Sequence, residues 1–434
     1  MVAPGVRVGP LDLWSPVILA PMAGVTDAPF RRLCRLFGES GLAGGSPSFL
    51  PFMDEGDAPS GDGGPGEGAA SSIGGRIPRP GVDAPAGLYV CEMVTSRALV
   101  EGNPETWRMV RPDPAERARS VQLYGVSPEI MGRAATMLVE RDLVDHLDLN
   151  FGCPVPKVTR KGGGAALPWK RDLFADLVGA VVRAADEAGT RIGRAVPVTV
   201  KMRVGIDETH ETFLDAARLA VRAGVAGIGL HARTQTQHYS GRADWTRIAQ
   251  LRDAVPAAVP VFGNGDVFSG ADAVRMLAET GCDAVVVGRG CQGRPWLFRD
   301  LVRATHGLAE LEGPTLREVA RVIELHARWV VEDQGDEARA MREMRKHVGW
   351  YLRGFSVGGP ARHALNLVSS LSELRERLQA LDLDQPFPAA AEGPRGRAGG
   401  EKVPHLPDGW LDSPVLTEAE REQLHLAEVG VSGG

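Results

Sequence analysis

Short apolar, β-branched runs alternate along this chain with longer stretches whose apolar positions recur every three or four residues. Eight such runs stand out: Val17–Ala20, Leu88–Glu92, Ser120–Tyr124, His146–Leu149, Val198–Met202, Gly227–His231, Val259–Gly263 and Ala284–Gly288. Helical spacing fills most of the intervals, as in Pro128–Arg141, Lys170–Glu187, Glu211–Arg222 and Gly270–Glu279. Eightfold strand–helix repetition predicts an α/β fold, a (β/α)8 TIM barrel, with a doubly wound open sheet as the alternative. Past the eighth run the pattern becomes wholly helical. The capping box Thr315-Leu-Arg-Glu318 opens a helix to about Gln334, a second spans about Asp336 to Phe355, and a third about Pro360 to Leu381. The expected organisation is a barrel over 1–308, a small all-α domain over 309–384 and a Pro/Gly-rich acidic tail over 385–434.

Two segments break the pattern. Residues 40–86 are crowded with Gly, Pro, Ser, Ala and acids, too little apolar surface to offset the entropy of ordering, so a disordered insertion is expected. Phe49, Leu50, Phe52 and Met53 within it could dock locally, the lesser of the two readings. Residues 385–416 are also Pro- and Gly-rich, and Thr417-Glu-Ala-Glu420 then fits a capping box opening a short helix. These segments alter the meaning of the net charge of −6. Residues 39–86 and 384–434 carry −5 each, which leaves +4 on the remainder. A mildly basic body with acidic appendages is compatible with a polyanionic partner.

No apolar run approaches the length of a membrane span and no signal-type N-terminus is visible, so a cytoplasmic protein is expected. The five cysteines form no CxxC pair and no Cys/His set at zinc spacing, which indicates neither a disulfide framework nor a metal.

Chemistry-bearing residues gather where the predicted strands end, the face on which barrels carry their active sites. The first strand ends Ala20-Pro21-Met22-Ala23-Gly24, the third brings Gln122, and the fourth leads through Asn150 to Cys153 on a Gly/Pro-punctuated turn. The fifth ends Lys201-Met202-Arg203, the sixth His231-Ala232-Arg233, the seventh Gly263-Asn264-Gly265-Asp266 and the eighth Gly288-Arg289-Gly290. Taken singly, Cys153 is more often a small buried hydrophobe than a reactive group. The company of Lys, His, Asn, Asp and Arg at successive strand ends favours a site. Glycines after the seventh and eighth strands let backbone N–H groups approach a phosphate, although ordinary βα turns use glycine as well.

The ordered set Leu19-Ala-Pro-Met-Ala-Gly-Val-Thr-Asp27, Asn150-Phe-Gly-Cys-Pro154, Lys161-Gly-Gly-Gly-Ala165, Lys201-Met-Arg203, His231-Ala-Arg-Thr234, Gly263-Asn-Gly-Asp266 and Gly288-Arg289 resembles the tRNA-dihydrouridine synthases. The likeness runs from about residue 6 to 380, and its motifs are specific as an ordered set rather than singly. It implies an FMN in the barrel mouth. Pro21, Met22 and Ala23 would pack on the ring system, Gln122, Lys201 and His231 would reach its polar edge, and Asn264, Gly265, Asp266, Gly288 and Arg289 would hold the phosphate. It further implies NADPH or NADH as reductant, hydride delivery to C6 of a uracil in tRNA, and Cys153 as the general acid at C5. Asn150 would bond the base edge. Arg203 and Arg233 would meet RNA phosphate or the flavin edge, or else form a salt bridge within the mouth.

In the helical domain, Met341, Met344, Val348 and Leu352 form an apolar stripe, leaving Arg342, Arg345, Lys346 and Arg353 available to a phosphate backbone. A basic helix face is more often only solvated, but Arg345-Lys-His-Val-Gly-Trp-Tyr351 resembles the family's RNA-binding helical domain, which favours RNA. A monomer is expected. The insertion and the tail lie outside the usual family pattern and are read as spacers. Three other readings use the same residues: an FMN barrel acting on a free pyrimidine or other small molecule, a redox-free phosphate-binding barrel with Lys201 as Schiff-base lysine, and a non-catalytic RNA-binding barrel.

Overall fold

The structure is a computed structural model that describes residues 3–42, 49, 77–395 and 399–429. Eight strands, β1 (Val17–Leu19), β2 (Leu88–Thr95), β3 (Ser120–Tyr124), β4 (His146–Phe151), β5 (Val198–Arg203), β6 (Gly227–His231), β7 (Val261–Asn264) and β8 (Ala284–Val287), lie side by side in chain order. Every pairing is parallel, and β8 closes on β1 through Val285–Val287 and Val17–Leu19, so the sheet is a barrel and not the open alternative. Strands covered by helices outside and side chains inside must be apolar on both faces, as Val17-Ile18-Leu19 and Ala284-Val-Val-Val287 are, buried at every position.

Boundary shifts have local causes. β7 begins at Val261 rather than Val259 because Pro260 has no N–H to donate to a ladder. β2 runs on to Thr95 through a register shift between Val90 and Met93, which carries Met93 to the mouth. The helix Pro128–Glu140 starts at Ser127, whose hydroxyl accepts from Ile130 N–H.

A small sheet that the sequence pattern does not predict plugs the N-terminal end of the barrel. Val6–Val8 pairs antiparallel with Leu11–Leu13, which pairs parallel with Asp83–Ala84. Its apolar residues Val6, Val8, Leu11 and Leu13 share a core with Ile18, Leu88 and Phe262. Asp83–Ala84 belongs to the stretch 40–86 read as a disordered insertion, and that reading is corrected for 40–42, which end the helix Ala28–Leu42, and for 77–86. The carboxylate of buried Asp83 accepts from the backbone N–H and the guanidinium of Arg79, and Ser15 donates to Pro85 O. Phe49 docks with its ring 5.3 Å from Phe37 and 5.6 Å from Trp296. The rest of the expected insertion, 43–48 and 50–76 with Leu50, Phe52 and Met53, lies outside the described residues.

Beyond the barrel come helices Leu316–Gln334, Glu337–Tyr351, Gly359–Leu365 and Leu371–Gln379. The Thr315/Glu318 capping box is formed in both directions. The expected third helix is two, because Ser370 accepts from Glu373 N–H and starts a new helix where a continuous one would leave that serine competing with the backbone. Met341, Met344 and Val348 pack with Val319, Ile323 and Leu374 in a core continuous with Leu33, Phe37 and Trp296 of the barrel. The tail carries the expected helix, Glu418–Val429, behind a formed Thr417/Glu420 capping box.

Candidate active site

Fifteen of the residues singled out in the sequence line one cavity of about 440 Å³ at the C-terminal ends of the strands. Pro21, Met22 and Ala23 form one side; Gln122, Asn150 and Cys153 enter from β3 and β4. Lys201, Arg203, His231 and Arg233 come from β5 and β6, and Asn264, Gly265, Asp266, Gly288 and Arg289 close the circle.

A chain of polar groups inside the barrel positions the Cys153 side. Thr199 Oγ1 donates to Asp148 Oδ1 at 2.6 Å. Its single proton is thereby committed, so His146 Nε2–H donates to Thr199 Oγ1 at 2.9 Å and His146 Nδ1 accepts from Ser120 Oγ at 2.7 Å. Burial pushes the His146 imidazole down to about 3, so it is neutral. The other oxygen of Asp148 accepts from Gln122 Nε2 at 2.7 Å, and Gln122 Oε1 accepts from Asn150 Nδ2 at 2.7 Å. Asn150 Oδ1 then accepts from Cys153 N–H at 2.9 Å and Gly152 N–H at 3.2 Å. The Asn150 amide therefore sets the turn that presents the thiol. Cys153 is half-buried; burial pushes its thiol up from 9.0, against the Val155 N–H and the charges of Arg203 and Lys201. At neutral pH it is a thiol that can give a proton rather than a thiolate.

The residues that β5 and β6 bring to the mouth are cationic or neutral donors. Burial and the neighbouring Arg203 push the Lys201 ammonium down to about 8. Among the described residues it has neither a hydrogen bond nor a carboxylate at ion-pair distance. Arg203 is 3 % exposed and holds loops together: its guanidinium donates to Gly152 O at 2.8 Å and to Thr234 O and His238 O at 2.9 Å. Arg233, 1 % exposed, forms the salt bridge inside the mouth, 2.7 Å from Asp266. Its Nη1 also lies 3.4 Å from His231 Nε2. Burial and the surrounding cations push His231 well below its ordinary 6.5, so the ring is neutral, accepts at Nε2 and presents Nδ1–H. The Asp266 carboxylate is occupied by Arg233 and by Ala243 N–H at 2.7 Å, which leaves the backbone of that turn to face an anion. Asn264 Nδ2 is likewise spent on Val286 O at 2.7 Å. Arg289 is freer, 3.7 Å from Asp266 with its guanidinium 4.4 Å from the Tyr239 ring centroid.

Arg342, Arg345 and Lys346 lie outside the cavity on the helix Glu337–Tyr351. Arg342 is exposed, Lys346 pairs with Glu343 at 2.6 Å, and Arg345 Nη2 lies 3.4 Å from Leu367 O and Val368 O. Lys346 nevertheless reaches the rim, its Nζ 3.4 Å from where a Cβ on Gly24 would sit. Met93, Tyr239, Gln292 and Trp350 line the cavity and were missed. Tyr239 had a signal, an aromatic among polar residues after β6, whereas Trp350 reads as helix packing. Among the described residues no cluster of three His, Cys, Asp or Glu is placed to hold a metal ion.

With this geometry in view, comparison with known proteins defines the class. Residues 18–387 match the family model described as dihydrouridine synthase (Dus). A probable tRNA-dihydrouridine synthase of Mycobacterium tuberculosis (strain CDC 1551 / Oshkosh) is 46% identical over 412 residues, covering 95% of this chain and 94% of that protein. One from Mycobacterium leprae is 48% identical, with 92% and 96% covered, and tRNA-dihydrouridine synthase B of Pseudomonas aeruginosa is 35% identical, with 80% and 86% covered. The chain belongs to the dihydrouridine synthase family.

Proposed function

We infer that the protein reduces uridines in tRNA to 5,6-dihydrouridine, with FMN in the barrel mouth, NADPH or NADH as reductant and Cys153 as the proton donor to C5. The observation that carries this reading is one cavity that holds a protonated thiol together with a set of cations with few anionic partners. Such a mouth suits an anionic, electron-rich cofactor lying against Lys201 and His231, with its target ring on the Cys153 side.

The residues fit FMN. Lys201 and the His231 Nδ1–H offer donors to the ring edge, while Arg289 and the glycine turns at 265 and 288 suit the phosphate. A Cβ on Gly288 would stand in ordinary contact with Ala20 Cβ at 3.5 Å and Met22 Sδ at 3.6 Å, so this glycine adjoins the two residues from the end of β1 that would meet the ring system. When bound, FMN supplies the redox chemistry, accepting reducing equivalents from the nicotinamide and delivering hydride to C6 of the uracil. This chain's residues supply the rest. Asn150 and Gln122 hold the Cys153 turn, Cys153 Sγ–H gives its proton to C5, and Arg203 and Lys201 stabilise the thiolate left behind until solvent reprotonates it. A stacked base cannot reach this depth, so the uridine must turn out of the folded RNA, which the exposed basic residues of the Glu337–Tyr351 helix would hold by its backbone.

The test uses purified protein with NADPH and tRNA from a strain lacking dihydrouridine, read by mass spectrometry of the nucleosides. Dihydrouridine formed in tRNA but not from free uridine is the expected result. Reduction of the free nucleoside at an equal rate, or none of either with flavin bound, would refute the reading.

A further inference from the structure

The tail read as a spacer is folded onto the loop behind Cys153. That loop carries Gly162, Gly163 and Gly164, and three successive glycines have much conformational freedom to lose on ordering. It also touches the thiol residue directly. Ala165 N–H donates to Cys153 O at 3.0 Å, and a Cβ on Gly164 would lie 2.5 Å from that oxygen, so the loop is the surface on which Cys153 rests. Its outer side is covered by the tail. Trp410 is 1 % exposed and donates from Nε1 to Ala166 O at 3.0 Å. A Cβ on Gly162 would collide with the indole at 2.6 Å and with Leu424 at 3.0 Å, so the glycine forms the floor of a fitted pocket.

The far end of the loop is fastened too. Lys170, with no exposed surface, donates to Ser413 O at 2.8 Å, pairs with Glu420 at 2.6 Å and lies 4.9 Å from the Trp410 ring centroid. Arg171 N–H donates to Pro414 O at 2.8 Å, and Asp172 accepts from Leu416 N–H at 3.1 Å. A buried ammonium whose carboxylate partner comes from the tail would be strongly unfavourable without it. Earlier in the tail, Lys402 N–H donates to Thr236 O at 2.8 Å in the loop after β6, so the segment runs round the mouth before it reaches the Cys153 loop.

We propose that the segment 402–424 is a strap that positions Cys153, with Trp410 and Glu420 acting as positioning residues through the loop 161–170. They touch no reacting atom. Their effect is to hold the glycine loop, and with it the carbonyl of Cys153, so that the thiol keeps one direction toward the cavity.

The test is made on the full chain with Trp410→Ala, Trp410→Phe and Glu420→Gln. Its first readout is iodoacetamide labelling of Cys153 followed by mass spectrometry, with the four buried cysteines as internal controls. A loosened loop should raise labelling of Cys153 alone by ~10-fold in Trp410→Ala, since exposure and thiolate access govern the rate. Turnover should fall by ~10–100-fold at saturating tRNA with KM nearly unchanged, the cost of a misdirected group away from the binding surface. Trp410→Phe, which keeps most of the packing, should recover most of both effects. Glu420→Gln, on the tail's outer helix, should move them in the same direction by a smaller factor. Labelling of Cys153 that is unchanged in Trp410→Ala and Glu420→Gln, or that rises only together with the buried cysteines, would overturn the proposal. The turnover arm rests on the inferred uridine reduction, and the labelling arm does not. A parent protein without that activity but with the labelling response would refute the function and leave the strap standing.

Discussion

Replacing Cys153 by alanine removes one sulfur and leaves its surroundings intact, because the turn is held by backbone N–H bonds to Asn150 and by Ala165 N–H on its carbonyl. Fold, flavin content and tRNA affinity should therefore match the parent. Turnover should fall by the ~10²–10⁴-fold of a positioned proton donor, about 3–5 kcal/mol on the barrier. The structure makes the full loss available at neutral pH: with burial pushing the thiol above 9.0, nearly every molecule carries the donor proton at pH 7. The thiol keeps its proton through pH 8, so a decline of the parent's rate near that pH belongs to Lys201, whose ammonium is pushed down to about 8, and loss of the Cys153 proton adds to it only beyond 9. Cys153→Ser should be nearly as slow as alanine, since a hydroxyl is a far weaker acid. Stopped-flow absorbance at the flavin band, with NADPH and tRNA both supplied, separates the half-reactions: flavin bleaching at the parental rate and its recovery slowed. Near-parental recovery in the alanine variant, or a rate that rises through pH 9 as a thiolate nucleophile would require, would refute the general-acid role.

Four further outcomes are expected. Arg289→Ala should lose most of its flavin on gel filtration, since Arg289 is the cation nearest the proposed phosphate that is not committed to a close ion pair; retention at parental occupancy would move the phosphate elsewhere. Arg342→Ala with Lys346→Ala should weaken tRNA binding and flatten its salt dependence by about one or two in log–log slope, while NADPH oxidation without RNA stays unchanged. Arg233→Met should destabilise the fold by about 1–3 kcal/mol in urea titration, because it removes the close ion pair with Asp266 and the donors to Ser240 O and Gly241 O. Asp27→Asn keeps the acceptor for Phe30 N–H and should stabilise the protein at pH 8 but not at pH 4. Burial pushes that carboxyl up to about 7 from 3.8, so the folded state binds the proton more tightly and loses up to ~4 kcal/mol as pH rises through that window.

The barrel was legible because its information is periodic and repeated: eight buried strands, most of them followed by an amphipathic helix, agree with one another even where an end is misplaced by two or three residues. The site was legible for a related reason, since side chains at strand ends must converge once the barrel closes, and Lys201, His231 and Arg289 need no contact in the sequence to share a cavity. What each residue does there was far less visible. Asn150, Asp266 and Arg203 were read as facing ligands, yet their polar atoms hold Cys153, Arg233 and three backbone carbonyls. Residue type and position along a strand do not say which neighbour will satisfy a buried polar group.

The two Pro/Gly-rich segments show where composition misleads. Disorder follows from too few apolar contacts to offset chain entropy, and that balance is struck per anchor, not per average residue. The stretch 77–86 has Asp83 caught by Arg79 and backbone pairing at Asp83–Ala84, and so is ordered despite its composition. In the tail, Trp410 buries a large ring, and Lys170 supplies a partner that the folded barrel presents. Prolines between such anchors lower the entropy that must be lost on docking, because their φ is already restricted. A proline-rich segment carrying one tryptophan and one capped helix is therefore better suited to strap a surface than a flexible linker of the same length.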